Sequence, residues 1–241
     1  MEPFITMDGI VEQACTYCGE PGAAEDDHVI ARQFFPSDGR YRDSLPKVPS
    51  CGRCNRQKQR VEDTAGVLFL FGDGSEASRR VLSNRVPRTL KKNARLHRSL
   101  RRGLEEVLLR SPAGVLVPAT AINVSAREQR DAHQWFRLVA RGVYFLELKT
   151  PLPQDHTIHL LRPVDERFNV FRDLMLSART LVRRAFADGH FRYAFAHNAA
   201  DEVSMAFLEF KSIWMFTLTL PPSATHLRDR IAIAEWARPG E

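Results

Sequence analysis

Four cysteines in two pairs constrain this chain more than any other feature. Cys15 and Cys18 form one Cys-x-x-Cys pair, and Cys51 and Cys54 form the other. Two such pairs supply four thiolates to one zinc ion, and four sulfur ligands close its coordination sphere, so the ion is structural. The alternatives are pairs of unligated thiols or a thioredoxin-like redox motif, but two pairs favour zinc more strongly than one does. We therefore expect a zinc site that ties two distant segments together.

The composition is typical of a soluble globular protein. The chain has 241 residues, of which 44% are hydrophobic and 27% are charged, and this length suits one large domain or two small ones. No apolar run reaches the roughly 18 residues that a membrane-spanning helix needs. Residues 1–9 include Glu2 and Asp8 and lack the basic start of a secretory signal. The sequence therefore predicts a cytoplasmic protein that does not enter a membrane.

Turn-rich segments divide the chain into three parts. Residues 1–75 hold every cysteine, residues 76–110 are dominated by basic side chains, and residues 111–241 carry no chemical motif. We expect an α+β fold in which a zinc-binding N-terminal module is joined by a basic helical connector to a C-terminal α+β domain. That last domain is expected to contain an antiparallel sheet.

Apolar spacing and turn residues predict the elements of the two later parts. The predicted helices cover residues 81–109, with a break at Pro87, residues 126–146, running on into a strand, and residues 167–186. The predicted strands cover residues 114–124, 157–161, 190–197, 202–210 and 213–220. The last three are expected to form an antiparallel meander, and their aromatic side chains are expected to be core.

Two polar motifs lie near the cysteines. Asp27-His28 stands at the edge of a short predicted strand, and by itself such a pair is as typical of a solvated turn as of a metal ligand beside a base. A helix that starts at the last cysteine pair places Asn55, Lys58 and Glu62 on one face. The start of that helix carries unpaired N–H groups, which favour a phosphate nearby. An ordinary charged helix face is the alternative.

These motifs follow one another in a specific order. The order is Cys15-x-x-Cys18, Asp27-His28-Val29-Ile30, Leu45-Pro46-x-Val48-Pro49-x-Cys51 and Cys54-Asn55-x-x-Lys58, with Glu62 after them. In order and spacing they resemble the HNH endonucleases in their zinc-stapled bacterial form. The resemblance covers about residues 12–65, a quarter of the chain.

The resemblance implies a ββα-metal fold, in which a β-hairpin and a helix surround one catalytic Mg²⁺ or Mn²⁺ ion. By motif position, Asp27 and Asn55 would hold this ion and His28 would be the general base that activates water. Oxygen ligands suit a hard cation, and histidine titrates near neutral pH. The implied activity is hydrolysis of DNA phosphodiester bonds. One departure is Ser44, which stands where many members have an asparagine that supports the loop of the histidine.

Basic residues are concentrated in one stretch. Ten of them lie between Arg79 and Arg102 with no acidic residue among them, in a chain with a formal net charge of +6. In a continuous helix, a stripe suited to nucleic acid would include Arg88, Lys91, Lys92, Arg95, Arg98 and Arg102. Arg32 and Lys58 are candidate phosphate contacts beside the Asp-His motif. A solvated helix face is the alternative.

Two hypotheses about function follow. The preferred one is a DNA endonuclease with a structural zinc ion and a catalytic magnesium or manganese ion. The alternative is a non-catalytic zinc module that binds nucleic acid or another protein and keeps a degenerate nuclease core. Asp27, His28 and Asn55 discriminate between the two hypotheses, because a binding module does not need them. The sequence leaves open whether RNA replaces DNA and whether the protein is a homodimer.

Overall fold

The structure, a computed structural model, describes residues 13–37, 39–162, 172–173, 175–176, 178 and 180–224. Within these residues the chain has a mixed α+β fold with antiparallel sheets, as the sequence predicts. No helix in this part of the chain is long and apolar enough to cross a membrane.

The first elements form a short hairpin. Strand β1, Glu25–His28, pairs antiparallel with strand β2, Lys47–Ser50. A 3-10 turn at Arg32–Phe34 and the short helix α1, Gly39–Arg42, connect them. Because side chains alternate along a strand, Glu25 and Asp27 lie on the same face of β1.

A long helix follows the hairpin directly. Helix α2, Gly52–Gly72, has Cys51 as its N-cap residue. The second cysteine pair therefore opens a helix, as the sequence predicts. The apolar side of α2 packs on helix α6, Ala126–Leu148, where the rings of Phe69 and Trp135 have centroids 5.0 Å apart.

The basic stretch folds as three short helices. They are α3 (Glu76–Asn84), α4 (Val86–Lys92) and α5 (Ala94–Arg102). Pro87 lies in the first turn of α4, and the side chain of Asn93 caps α5 by accepting the N–H of Leu96 at 3.1 Å. The predicted break at Pro87 is confirmed, since α4 begins there, but the predicted helix is wrong in that it breaks again at Asn93 and ends at Arg102, not at residue 109. Since the chain restarts twice, its basic side chains do not follow one continuous stripe.

The end of that predicted helix is in fact a strand. Strand β3, Leu104–Arg110, pairs antiparallel with strand β4, Leu116–Ile122, which confirms the strand predicted there. A Cβ atom at Gly103 would lie 2.1 Å from the carbonyl oxygen of Asn123, so only glycine allows these two segments of the backbone to approach so closely. The leucines and glutamates of β3 favour helix locally, but pairing with β4 decides the conformation.

A five-stranded antiparallel sheet completes the fold, with strand order β5-β9-β8-β7-β6. Its strands are β5 (Thr157–Leu161), β6 (Val182–Phe186), β7 (Phe191–Asn198), β8 (Val203–Phe210) and β9 (Ile213–Leu220). The predicted strand at residues 157–161 and the predicted meander are confirmed. Most aromatic side chains of the meander are buried, although Trp214 is 49% exposed.

The helix predicted over residues 126–146 is confirmed as α6, but two other predictions for this part are wrong. Helix α6 continues to Leu148, and Lys149 ends it in the left-handed conformation. The strand predicted at the end of this helix does not form. The prediction of a helix over residues 167–186 fails at Val182–Phe186, which pairs with β7. Backbone hydrogen bonds to β7 override the helical spacing of the apolar residues. Residues 167–171, 174, 177 and 179 of that prediction lie outside the described part.

One hydrophobic core connects the N-terminal hairpin to the C-terminal sheet. It includes Val29, Phe34, Trp135 and Phe210, which come from widely separated parts of the chain. Helix α6 approaches the end of β1 at Gly142, where a Cβ atom would lie 2.9 Å from both methyl groups of Val29. The segment after β1 is thus fixed against the rest of the protein. The division of the chain at residues 75 and 110 stays a prediction.

Candidate functional site

The four cysteines come together in space. Cys15, Cys18, Cys51 and Cys54 bring their Sγ atoms within 4.8 Å of one another, and none of them forms a disulfide. Ligands about 2.3 Å from a tetrahedral zinc ion lie about 3.8 Å apart, and Sγ of Cys18 lies 3.9 Å from Sγ of Cys51. The donor set and its spacing fit a structural metal ion such as zinc.

The surroundings of the cluster shift the pKa values of its thiols in opposite directions. The nearby backbone N–H of Cys54 lowers the pKa of the Cys51 thiol to about 7. The backbone N–H of Cys51 in turn donates to Sγ of Cys15 at 3.3 Å. Burial has the opposite effect on Cys54 and raises the pKa of its thiol. A metal ion that binds all four sulfurs would offset this cost, since thiolates are the form that zinc binds.

A cleft of about 520 Å³ lies beside the cluster, between the N-terminal hairpin and the start of α2. Its wall includes Asp27, His28 and Asn55. The three residues that the sequence singles out for catalysis therefore share one cleft, although they lie far apart in the chain. The cleft also contains several charged and amide side chains, namely Arg32, Gln33, Arg42, Arg56, Gln59, Glu62 and Arg85.

Asp27 is held by two neighbours. The hydroxyl of Tyr17 donates to Oδ2 of Asp27 at 2.5 Å, and Nζ of Lys58 lies 3.0 Å from the same oxygen. Among the described residues no hydrogen bond ends on Oδ1. The carboxylate is therefore fixed through one oxygen and keeps the other for a further partner.

Lys58 joins the helix to the hairpin from the inside. Its side chain is only 1% exposed, and Nζ donates to the backbone oxygen of His28 at 2.7 Å and to Oε1 of Glu62 at 2.5 Å. Burial raises the pKa of the Glu62 carboxyl, even though Lys58 lowers it. The sequence predicts that Lys58 contacts phosphate, but its burial among these oxygens argues against that role. It positions Asp27 and the end of β1 instead.

His28 lies at the last position of β1 and is half-buried at the wall of the cleft. Burial lowers the pKa of its imidazole, and the positive charges of Lys47 and Arg32 lower it further, whereas Asp27 raises it. The neutral form, which accepts a proton, is therefore favoured at neutral pH. The backbone of His28 is fixed by Lys58, and that of the next residue by a hydrogen bond from the N–H of Val29 to the carbonyl of Pro46 at 2.9 Å.

Asn55 stands at the start of α2 and faces β1. Its Nδ2 donates to Oε2 of Glu25 at 2.6 Å. This bond leaves the amide oxygen of Asn55 as the atom that can accept a cation or a donor. Glu25 was not among the predicted site residues, but the alternation of side chains along β1 places it on the same face as Asp27 and could have revealed it.

Ser44 does not support the loop of His28. Its Oγ accepts the N–H of Ala187 at 2.9 Å. Ala187 lies in the turn after β6 and has a positive φ of 51°. This residue, which departs from the HNH pattern, therefore ties the segment before β2 to the C-terminal sheet.

Arginines give the cleft a positive rim. Arg32, Arg42 and Arg56 come from the N-terminal segment, and Arg85 joins them from the end of α3. Arg85 is held by a hydrogen bond from its Nη2 to Oε1 of Gln33 at 2.6 Å. The sequence predicts Arg32, but it gives no signal for Arg42 or Arg85, because only the fold brings them to the cleft.

The remaining predicted nucleic-acid contacts lie on the connector. Arg88, Lys91 and Lys92 are exposed on α4. Arg95 lies on α5, where its Nη1 is 3.5 Å from Oε1 of the buried Glu128. Arg95 also lines a second groove, of about 710 Å³, together with Arg98, Arg102 and Arg127.

The geometry of the cleft therefore combines two acids, a histidine, three amides and a rim of arginines beside a four-cysteine cluster.

Comparison of the chain with protein-family models, with curated proteins and with solved structures finds no match to any of them.

Proposed function

We propose that this protein is a metal-dependent endonuclease of the HNH type that hydrolyses phosphodiester bonds in DNA. The observation that carries the proposal is the shared cleft of Asp27, His28 and Asn55, which lies between a hairpin and a helix joined by the four cysteines. A carboxylate, a general base and an amide oxygen next to arginines suit a phosphodiester, which is an anion that needs activated water.

The oxygen donors of the cleft fit a hard divalent cation. Oδ1 of Asp27 and the amide oxygen of Asn55 are the atoms left by the hydrogen bonds of these residues, and both are ligand types that Mg²⁺ and Mn²⁺ accept. Such an ion, when bound, would withdraw charge from the phosphate and stabilise the leaving oxygen.

The chain's own residues supply the other parts of the reaction. His28 takes a proton from the attacking water, which its lowered pKa favours at neutral pH. Lys58 and Tyr17 keep Asp27 in position through Oδ2. Arginines on the rim, among them Arg32 and Arg56, bind the phosphates on either side of the scissile bond.

A second function is favoured by a different observation. Both proposed metal ligands already have protein partners, because Lys58 is ion-paired with Asp27 and Asn55 donates to Glu25. A cleft whose acids are neutralised in this way also suits a non-catalytic module, in which the four cysteines hold a surface that binds nucleic acid.

Plasmid nicking distinguishes the two functions. We expect purified protein to nick supercoiled DNA with added magnesium or manganese and not with EDTA. Asp27→Ala and Asn55→Ala should lose most of the activity while zinc content stays at that of the wild type. Asp26→Ala is the matched control, because Asp26 is the neighbouring acid on the other face of β1 and lies 3.9 Å from Lys47. DNA binding without any metal-dependent cleavage would support the second function.

We propose that the basic connector, residues 76–110, supplies affinity for DNA. Replacing Arg88, Lys91 and Lys92 with glutamine should weaken DNA binding and flatten its dependence on salt, by a slope of about 0.9 for each lost phosphate contact. Arg95 should matter less, because its charge is already paired with Glu128. Cleavage at saturating protein should survive, and an unchanged salt dependence would show that this surface does not meet DNA.

A further inference from the structure

The hairpin of β3 and β4 exposes an unusual amount of apolar surface. Six of its aliphatic side chains are between 42% and 63% exposed, namely Leu104, Leu108, Leu109, Val115, Leu116 and Val117. They lie on both faces of the hairpin, because neighbouring positions in a strand point in opposite directions. A two-stranded hairpin is at best marginally stable by itself in water, so this one calls for a partner.

Among the described residues β3 pairs with β4 alone, and its other edge can accept a further strand. Hydrogen bonds join Asn123 N–H to the Gly103 carbonyl and Ser111 N–H to the Val115 carbonyl, at 2.7 and 2.8 Å. In an antiparallel pair only every second residue bonds to the partner strand. Gly103 and Ser111 bond to the β4 side, so the even-numbered residues between them turn their N–H and C=O groups away from β4. Every one of those positions on β3 has an N–H group.

The outer edge of β4 is blocked. Pro118 lies opposite Leu108, at a position where the N–H would point away from β3. Proline has no N–H, and its presence at a sheet edge prevents pairing with a further strand. Only the β3 side of the hairpin is therefore competent to extend the sheet.

From these features we infer that the protein forms a homodimer in which β3 pairs antiparallel with β3 of a second copy, producing a four-stranded sheet. Charge selects the register. When the twofold axis passes through Leu108, Glu106 of each copy lies opposite Arg110 of the other. A shift that places Glu106 or Arg110 opposite itself brings like charges together, which is unfavourable across a strand pair.

The same register continues the apolar rows of both faces. On one face Leu108 meets Leu108 of the second copy, with Pro118 on each outer side. On the other face Val107 lies opposite Leu109 of the second copy. A nucleic acid is a poor partner for this hairpin, because its strands carry two glutamates, Glu105 and Glu106, and a single arginine.

Charge exchange at this pair tests the dimer. Sedimentation velocity over a range of concentrations should show a monomer–dimer equilibrium for the wild-type protein. Glu106→Arg alone and Arg110→Glu alone should each raise the dissociation constant at least about tenfold, since each places two like-charge pairs in the interface. The double variant E106R/R110E should restore dimerisation. An equimolar mixture of the two single variants should form a heterodimer.

Glu105→Arg is the matched control. It makes the same change one residue away, on the opposite face, where Ser111 of the second copy lies across, and it should leave the dissociation constant within about twofold of the wild type. A wild-type protein that stays monomeric throughout the concentration range would overturn the inference. So would a dimer that neither single charge change weakens, because its interface would lie elsewhere.

Discussion

The two hairpins of this protein are stabilised in opposite ways. β1 and β2 are four-residue strands with a polar first strand, and they are held by the four-cysteine cluster, by the buried Lys58 and by packing of α6 on Val29. β3 and β4 are seven-residue strands rich in aliphatic residues, and they stand mostly exposed. The hairpin that carries the candidate site is therefore tied to the rest of the fold by several contacts, whereas the more apolar one is mostly exposed.

This contrast suggests that the two hairpins have different tasks: the first positions the side chains of a site, and the second forms an interface. A cleft that binds a cation and a phosphate needs side chains held in fixed positions, and the buried charges and the four-cysteine cluster of this hairpin would provide that rigidity. The exposed hairpin of β3 and β4 places no side chain in the cleft, and we infer that it extends a sheet instead. The predictions that follow test whether the two hairpins differ in this way.

The largest expected effect is the loss of a cysteine. Cys51→Ser removes one of four thiolate ligands, so we expect loss of zinc and a fall in the free energy of unfolding of about 5 kcal/mol or more. Zinc analysis and urea unfolding measure both quantities. Leu116→Ser in the exposed hairpin should keep the zinc and change stability by less than about 0.5 kcal/mol. Equal effects of the two changes would remove the contrast between the hairpins.

The next effect concerns the buried lysine. Lys58→Met keeps the length of the side chain but leaves Glu62 and Asp27 without their cation, so we expect a loss of about 3–5 kcal/mol at pH 8. Adding Glu62→Leu should recover part of this loss, since it removes one of the unpaired carboxylates. A Lys58→Met protein as stable as the wild type would show that this ion pair does not fix the hairpin.

The loss in Lys58→Met should depend on pH in a definite direction. Burial already raises the pKa of Glu62 in the folded protein above its ordinary value of 4.5, and removal of Lys58 raises it further. The folded state then binds a proton more tightly than the unfolded state, so stability falls as the pH rises from 4.5 through the folded pKa. Urea unfolding at pH 5 and pH 8 should therefore show the larger destabilisation at pH 8.

The smallest effect is expected from removing the exposed hairpin. Replacing residues 105–121 with an Asn-Gly turn keeps Ile122, which packs against the connector helices. The ends are close, because Asn123 N–H bonds to the Gly103 carbonyl. Compared with the Arg110→Glu variant, we expect unchanged zinc and a difference in unfolding free energy below about 1 kcal/mol. A large loss of stability would show that the hairpin belongs to the core.

Residues with a local pattern were predicted well from the sequence. The spacing of the cysteines predicts their cluster, and alternation predicts the meander. The prediction failed at Leu104–Arg110 and Val182–Phe186, where the apolar spacing fits a helix, because each segment pairs with the next strand along the chain. Asp188-Gly189 between β6 and β7 is a hairpin signal that could have revealed the second of these pairings.

In the candidate site, too, some residues could be predicted from the sequence and others could not. Asp27, His28 and Asn55 were singled out from motif order, and the structure brings them to one cleft. The burial of Lys58 and the arrival of Arg85 depend on how helices pack, and no spacing along the chain predicts them. Tyr17 lies inside the first cysteine pair, where nothing in the sequence marks it as a partner of Asp27.

The most direct test of the central claim is the single-turnover cleavage rate of His28→Ala at saturating protein with magnesium. If His28 is the general base, this rate should fall roughly 10²–10⁴-fold while zinc content and DNA affinity stay unchanged. His97→Ala, a change of the same kind at an exposed histidine of α5, should cleave at the rate of the wild type. A His28→Ala protein that cleaves as fast as His97→Ala would contradict the account.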